Sequence, residues 1–226
     1  MTLGNVGRAS TADFAGKRKV LIIPYVTPTR EDERLSEMVV TYWTDAVAKV
    51  RGLQAGLGNV THLFHEGSVG TGAEALETLK RGNPHGFQQL NTLISNGVAL
   101  EPTEDVECLK ETLDLHRCMA VVEVSNIVAE RLAAWFEESR GKRYAAIAAN
   151  VDQRLEENGV AVLVMSPDHE VKLPKNVEVV YVVPPILDRI NQWLRDHPVS
   201  SDVASDKAEP LPEIAPDDET PGWARP

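Results

Sequence analysis

Val160-Ala161-Val162-Leu163-Val164-Met165 is an unbroken run of six apolar residues, three of them β-branched. A run this short and this uniformly apolar reads as a strand buried on both faces. Strands of that kind belong to parallel sheets with helices on each side. Asn158-Gly159 precedes it, a pair suited to the left-handed stop at a helix end. Ser166-Pro167-Asp168-His169 follows it. Upstream, Tyr144, Ile147, Val151 and Leu155 recur at helical spacing, so the local order is helix, tight turn, buried strand.

The same grammar repeats outward from this stretch. Lys19-Val20-Leu21-Ile22-Ile23-Pro24-Tyr25-Val26 is a second compact run, and Pro24 limits how far its ladder extends. From Asp32 to Arg51, Leu35, Met38, Val39, Tyr42, Trp43, Ala46, Val47 and Val50 trace one helical face, and Gly52, Gly56 and Gly58 mark the return. Asn59 to His65 alternates as a strand. A glycine-rich loop, Gly67 to Gly72, then leads to a short helix near Ala73–Lys80 and a second from Pro84 to Ser95, with Pro at its first position. Val98-Ala99-Leu100 reads as a short strand, and Thr103-Glu104-Asp105-Val106 opens a helix with acids at its positive end.

Beyond it, Val121, Val124, Val128, Leu132, Trp135 and Phe136 stripe a helix from Met119 to Ser139, which Gly141 is expected to stop. Val177 to Val183 is a further strand, and Pro184 to Asp196 a closing helix. The expectation is one α/β domain over residues 18–198: a mainly parallel, or mixed, sheet of about five strands flanked by helices on both faces. Residues 1–17 read as a loose arm and 199–226 as a disordered, acidic, proline-rich tail.

The net charge of −11 disfavours nucleic acid and anionic membrane as partners, because both require clustered cations. Residues 199–226 account for −5 of it and residues 1–18 for +2, so the middle of the chain is itself acidic. No stretch approaches the ~20 apolar residues of a membrane span and no apolar run opens the chain, so the expected location is the cytoplasm. Cys108 and Cys118, ten residues apart on one predicted helix, stand too far apart for a disulfide unless that helix breaks between them, and read as reduced, buried thiols. Trp43, Trp135 and Trp193 fall on apolar helical faces and are expected in the core.

Ligands of open parallel sheets bind outside the carboxyl ends of the strands. The residues that follow each strand are therefore the candidates. Thr27, Thr29, Arg30, Glu31 and Asp32 follow the first, and His65 and Glu66 the second. Glu101, Thr103, Glu104 and Asp105 follow the third, and Ser166, Asp168 and His169 the fourth. His65, Glu66 and His169 are of the ligand types that hold zinc or manganese, and Asp168 adds a carboxylate, although no pair has helical metal-site spacing. Gly67-Ser68-Val69-Gly70-Thr71-Gly72 precedes a helix as a phosphate cradle does, without the lysine of a P-loop. No G-x-S-x-G elbow is present. Ser166 has His169 three residues on, but Pro167 withholds the backbone N–H an oxyanion hole would use. Arg140, Lys142 and Arg143 read as helix-end charges, with Arg143 able to face an anion at the rim.

Val20 to Val26, Phe64-His65-Glu66-Gly67, Asn96 to Asp105, and the block from Arg143 through Leu155 to Val171 resemble an uncharacterised bacterial and archaeal family of about this size. More remotely, the last block looks like the closing segment of the TraB, ChaN and erythromycin-esterase-like proteins, in which a strand ends in Gly-x-x-His after an Arg-bearing helix. His169 and Arg143 match that pattern. The resemblance implies a site built on His169, Asp168 and Arg143 and, since some of those proteins are metal-dependent hydrolases, zinc or manganese held by His65, Glu66 and His169. The chain departs from the pattern at Thr27, where those proteins carry His or Glu, and at Ser166, where the glycine is expected.

Two functions fit these residues. One is a non-catalytic binding or assembly subunit; the other is a small metal-assisted hydrolase. The partners that fit are a small molecule, a protein docked through Trp223 of the tail, or a second copy of the chain.

Overall fold

The computed structural model describes residues 16–121 and 125–198. The arm over residues 1–17, save its last two residues, and the tail with Trp223 lie outside them. Five strands, β1 (Arg18–Pro24), β2 (Val60–His65), β3 (Ala99–Glu101), β4 (Val160–Met165) and β5 (Val177–Tyr181), form one sheet in the order β3-β2-β4-β1-β5. Every pairing is parallel. Among the described residues the helices are α1 (Glu33–Leu57), α2 (Gly72–Gly82), α3 (Pro84–Ser95), α4 (Val106–Val121), α5 (Asn126–Arg154) and α6 (Ile186–Asp196).

β4, the stretch that decided the reading, is the central strand and is buried at every position. Its alternate side chains feed two cores. Val160, Val162 and Val164 join Leu21 and Ile23 under α1, α2, α3 and α6. Ala161, Leu163 and Met165 join Val20, Ile22 and Phe64 under Tyr144, Ile147 and Val151 of α5. A residue buried from both sides offers no polar face, which is why the run contains no polar residue.

Several boundaries differ from the sequence reading, each for a local reason. α1 runs through Gly52 and Gly56 and ends only at Gly58, whose φ of 104° no L-residue adopts easily. Gly141 does not stop the long helix. α5 passes straight through it, because one exposed glycine costs a helix only ~1 kcal/mol and the packing of Tyr144, Ile147 and Val151 outweighs that. α4 and α5 are separate helices that pack antiparallel, with Thr112 against Ser139 and His116 against Phe136. In β2 the strict alternation breaks at Thr61, where the register against β4 slips, so Val60 and Leu63 share one face.

Trp43 and Trp193 are in the core as expected. Trp135 is not: it is 57% exposed, because its half of α5 projects past the sheet. Cys118 is exposed and Cys108 half-buried, a correction to the expected burial; both are free thiols on the continuous α4.

Among the described residues, no helix is long and apolar enough to cross a membrane.

Candidate functional site

Chain direction locates the crevice. After β2 the chain leaves toward β3 beneath α2 and α3, whereas after β4 it leaves toward β5 on the opposite face. Adjacent strands whose connections part in this way open a gap at their carboxyl ends, where α/β sheets bind ligands. Because all strands are parallel, Thr27, His65 and His169 share that edge.

Glu66, the residue after β2, lies in the gap. Its Oε2 accepts from the Ser166 backbone N–H at 2.6 Å and from the Ser166 hydroxyl at 2.5 Å. Its Oε1 accepts from Arg143 Nη2 at 3.0 Å. Arg143 reaches down from α5 and forks onto a second carboxylate: Nε donates to Glu104 Oε2 at 2.9 Å, and Nη2 donates to Glu104 Oε1 as well. Glu104 Oε1 also accepts from the Gly67 amide at 2.9 Å. The Glu104 side chain is 0% exposed, those of Glu66 and Arg143 13% and 12%. Burial alone opposes the guanidinium charge, but the hydrogen bonds and charge of Glu104, then those of Glu66, overcome it and hold Arg143 above its ordinary range.

His65 is locked one residue earlier. Its ring is 2% exposed, with Nδ1 on the Glu66 carbonyl at 2.7 Å and Nε2 facing Asn83 Nδ2 at 3.2 Å. The carbonyl must receive a proton and the amide must give one, so the neutral Nδ1–H tautomer fits both. Burial, resisted by the Glu66 carbonyl and charge, pulls its pKa down to about 4. Tyr25 meets this ring edge-on at 5.1 Å and donates its hydroxyl to the Gly82 carbonyl. Burial, then the charge of Glu66, pushes the Tyr25 phenol up. A cavity of about 70 Å³ lies against Tyr25, His65, Ser68 and Leu79, and the buried Ser68 hydroxyl has no partner among the described residues.

His169 sits at the outer side of the gap. Its amide donates to the Ser166 carbonyl at 3.1 Å, closing a tight turn, and its ring stacks 6.4 Å from that of Tyr181. The ring Nδ1 is buried and unpartnered among the described residues. Burial lowers its pKa, against the charges of Glu66 and Asp168. Asp168 is exposed beside it.

The structure thus joins Glu66, Arg143 and Ser166, and adds Glu104. It does not assemble the expected metal set. Both ring nitrogens of His65 are engaged, and both Glu66 oxygens are held. Among the described residues no group of three or more His, Cys, Asp or Glu side chains is placed to hold a metal ion. Ser166 donates to Glu66, not to His169. Arg143 is mid-helix and bound by two carboxylates, so it does not face an open rim. The Gly67–Gly72 loop points its first amide at Glu104. Thr71, which caps α2, makes no side-chain bond.

Glu104 is a candidate from its place after β3, and what the sequence alone does not reveal is that it is the buried counter-charge of Arg143. One signal was available. An arginine on a helix covering an apolar sheet needs more than one acceptor for its five N–H donors, and the acids after β2 and β3 are the nearest by topology. Comparisons with protein-family models, with curated proteins and with solved structures find no match for this chain.

Proposed function

We propose that this chain is a non-catalytic binding or assembly subunit of the cytoplasm, distantly related to the TraB, ChaN and erythromycin-esterase-like proteins and without a nucleic-acid partner. The observation that supports the reading is the closure of the polar network at the carboxyl edge. Glu66 is held by Arg143 and Ser166, Glu104 by Arg143 and Gly67, and His65 by Glu66 and Asn83. A general base or metal ligand needs a free lone pair directed at substrate or ion. In this network every carboxylate oxygen already accepts from a donor and both ring nitrogens of His65 are engaged, which favours a bracing role over a catalytic one.

A metal-assisted hydrolase draws on one observation, the Nδ1 of His169, which has no partner among the described residues, beside Asp168. One experiment separates the readings. Purified protein is analysed for zinc and manganese, then assayed with p-nitrophenyl acetate and p-nitrophenyl phosphate in the presence of each metal. The assembly reading expects no stoichiometric metal and no turnover above that of His169→Ala. Stoichiometric metal together with turnover that His169→Ala abolishes would establish the hydrolase.

A further inference from the structure

The charges of Glu66, Glu104 and Arg143 do not balance. Two carboxylates meet one guanidinium, so this nearly buried cluster keeps one negative charge. Among the described residues, no other Lys, Arg or His comes within ion-pair distance of either carboxylate. A lone buried charge is costly until something neutralises it. A proton is the simplest remedy, but a protonated carboxyl needs an acceptor. The oxygens of Glu66 and Glu104 face donors: the Gly67 amide, the Ser166 amide and Arg143. Only the Ser166 hydroxyl, on Glu66 Oε2, can accept as well as donate.

Glu66 and Gly67 of this cluster also line the cavity of about 70 Å³, together with Tyr25, His65, Ser68 and Thr78. No Lys or Arg lines it. Ser68 is 1% exposed, and its hydroxyl is buried without a partner among the described residues. The backbone pins Ser68 in place: its amide donates to the His65 carbonyl at 2.9 Å, and its carbonyl accepts from the Thr103 and Glu104 amides, each at 3.1 Å. A buried hydroxyl left unpaired calls for water or an ion beside it. The Glu66 charge is felt at this wall. Behind burial in each case, it raises the Tyr25 phenol and opposes the fall of the His65 ring.

We propose that this cavity binds a monovalent cation (potassium, sodium or ammonium) between the Ser68 hydroxyl and the Glu66 carboxylate. Charge is the first argument. The surplus is a single negative charge, which a monovalent ion cancels and a divalent ion overshoots; an anion would meet Glu66, and a neutral molecule would leave the charge in place. Ligand chemistry is the second. Ser68, Thr78, Tyr25 and Glu66 carry oxygens, the atoms that hard cations take. Glu66 Oε1 accepts from Arg143 alone and keeps a lone pair. Space is the third. At ~30 Å³ for each water, the cavity has room for about two. The ion therefore enters nearly bare. The site stands whether the chain is a subunit or a hydrolase, and so goes beyond that choice.

The test is thermal melting of the full chain at pH 7 in potassium, sodium, ammonium or tetramethylammonium chloride, each at about 150 mM. Tetramethylammonium carries the same charge but is too bulky for the cavity and donates no hydrogen bond. At least one of the small cations should raise the melting temperature by ~3 °C or more over tetramethylammonium, and saturably; their order names the ion. Ser68→Ala should invert in sign between salts. In tetramethylammonium it sheds an unpaired hydroxyl and melts at or above the parent, whereas in the stabilising salt it melts below. Glu66→Gln removes the surplus charge and should lose the preference among salts. In crystals, a thallium(I) soak should give one anomalous peak beside Ser68. Equal melting in all four salts, which a protonated Glu66 would give, overturns the proposal. So does a salt preference that Ser68→Ala keeps in full, or a cavity holding only water after the thallium soak. The melts contain no zinc or manganese and read no turnover, so this inference and the subunit reading fail separately.

Discussion

Replacing Arg143 with methionine keeps much of the side-chain volume and removes the cation that binds both carboxylates in the gap between β2 and β4. Two carboxylates stay behind. Glu104 is wholly buried and retains a single donor, the Gly67 amide; Glu66 retains the Ser166 amide and hydroxyl. Removing one partner of a buried ion pair costs ~3–5 kcal/mol, because the other charge is stranded. The surviving donors place this case at the lower end, ~3 kcal/mol. For a folded core of this size ~1 kcal/mol moves the melting temperature by ~2–4 °C, so Arg143→Met should melt ~6–12 °C below the parent at pH 7.

The deficit should also depend on pH in a definite direction. A buried carboxylate without a counter-charge is relieved by taking up a proton, so the gap between variant and parent should narrow as pH falls toward 4. Adding Glu104→Gln to Arg143→Met should recover part of the loss at pH 7, since a neutral amide is cheaper to bury than a lone charge. Thermal melts by circular dichroism at pH 7 and pH 4.5 measure all three proteins. A melting point within 2 °C of the parent, or a deficit equal at both pH values, would refute the view of Arg143 as the counter-charge of a dry site.

Three further outcomes are expected. His65 is buried with its pKa held near 4, below its ordinary 6.5. Because the folded state favours the neutral ring, its contribution is present above pH ~6.5 and lost as pH falls through 4. It amounts to ~3 kcal/mol at most, read by urea midpoints at pH 7 and 4.5 for the parent against His65→Gln, which should lack most of this dependence. His169→Ala should leave the melting temperature within ~2 °C, because this rim residue contributes one amide turn and a loose ring stack; a larger drop would show that it supports the core. Gly86→Ala should cost ~1–3 kcal/mol by urea unfolding, because a Cβ there would sit 2.6 Å from the Trp43 ring and 2.7 Å from the Asn83 amide that caps α3; a loss under 0.5 kcal/mol would mean that Trp43 moves freely.

Much of the architecture was legible because burial on both faces leaves a plain mark on sequence. β4 and β1 are uniformly apolar, Pro84 and Asn158 announce their helix start and turn, and these fixed the strand–helix alternation. Helix ends at glycine were less legible. Gly52, Gly56 and Gly141 carry the same local signal as Gly58, and only tertiary packing decides that the chain continues through the first three. The carboxyl edge was legible as a set of places and not as a set of partners. Topology brings Glu66, Ser166 and His169 near one another, but which atom donates to which depends on Arg143 arriving from a helix 77 residues away from Glu66 in sequence. The exposure of Trp135 was hidden for a related reason: an apolar stripe reads the same whether it meets the chain's own core or another surface.

The strand order has a consequence for how this chain comes off the ribosome. β1 and β2 are neighbours in sequence but not in the sheet; β4 lies between them. Until residues 160–165 emerge, β1 has no strand beside it, and β2 has only the three-residue β3. A nascent chain of 155 residues therefore holds α1 to α5 and three strands without a continuous sheet on which to pack them. Its longest apolar segments must wait through roughly two-thirds of synthesis for a partner. Pairings so distant in sequence close large loops late and slowly, and the exposed strand edges of such intermediates invite association with other chains. For this protein translation speed upstream of β4, and chaperone cover over that interval, should govern yield more than the stability of the finished fold.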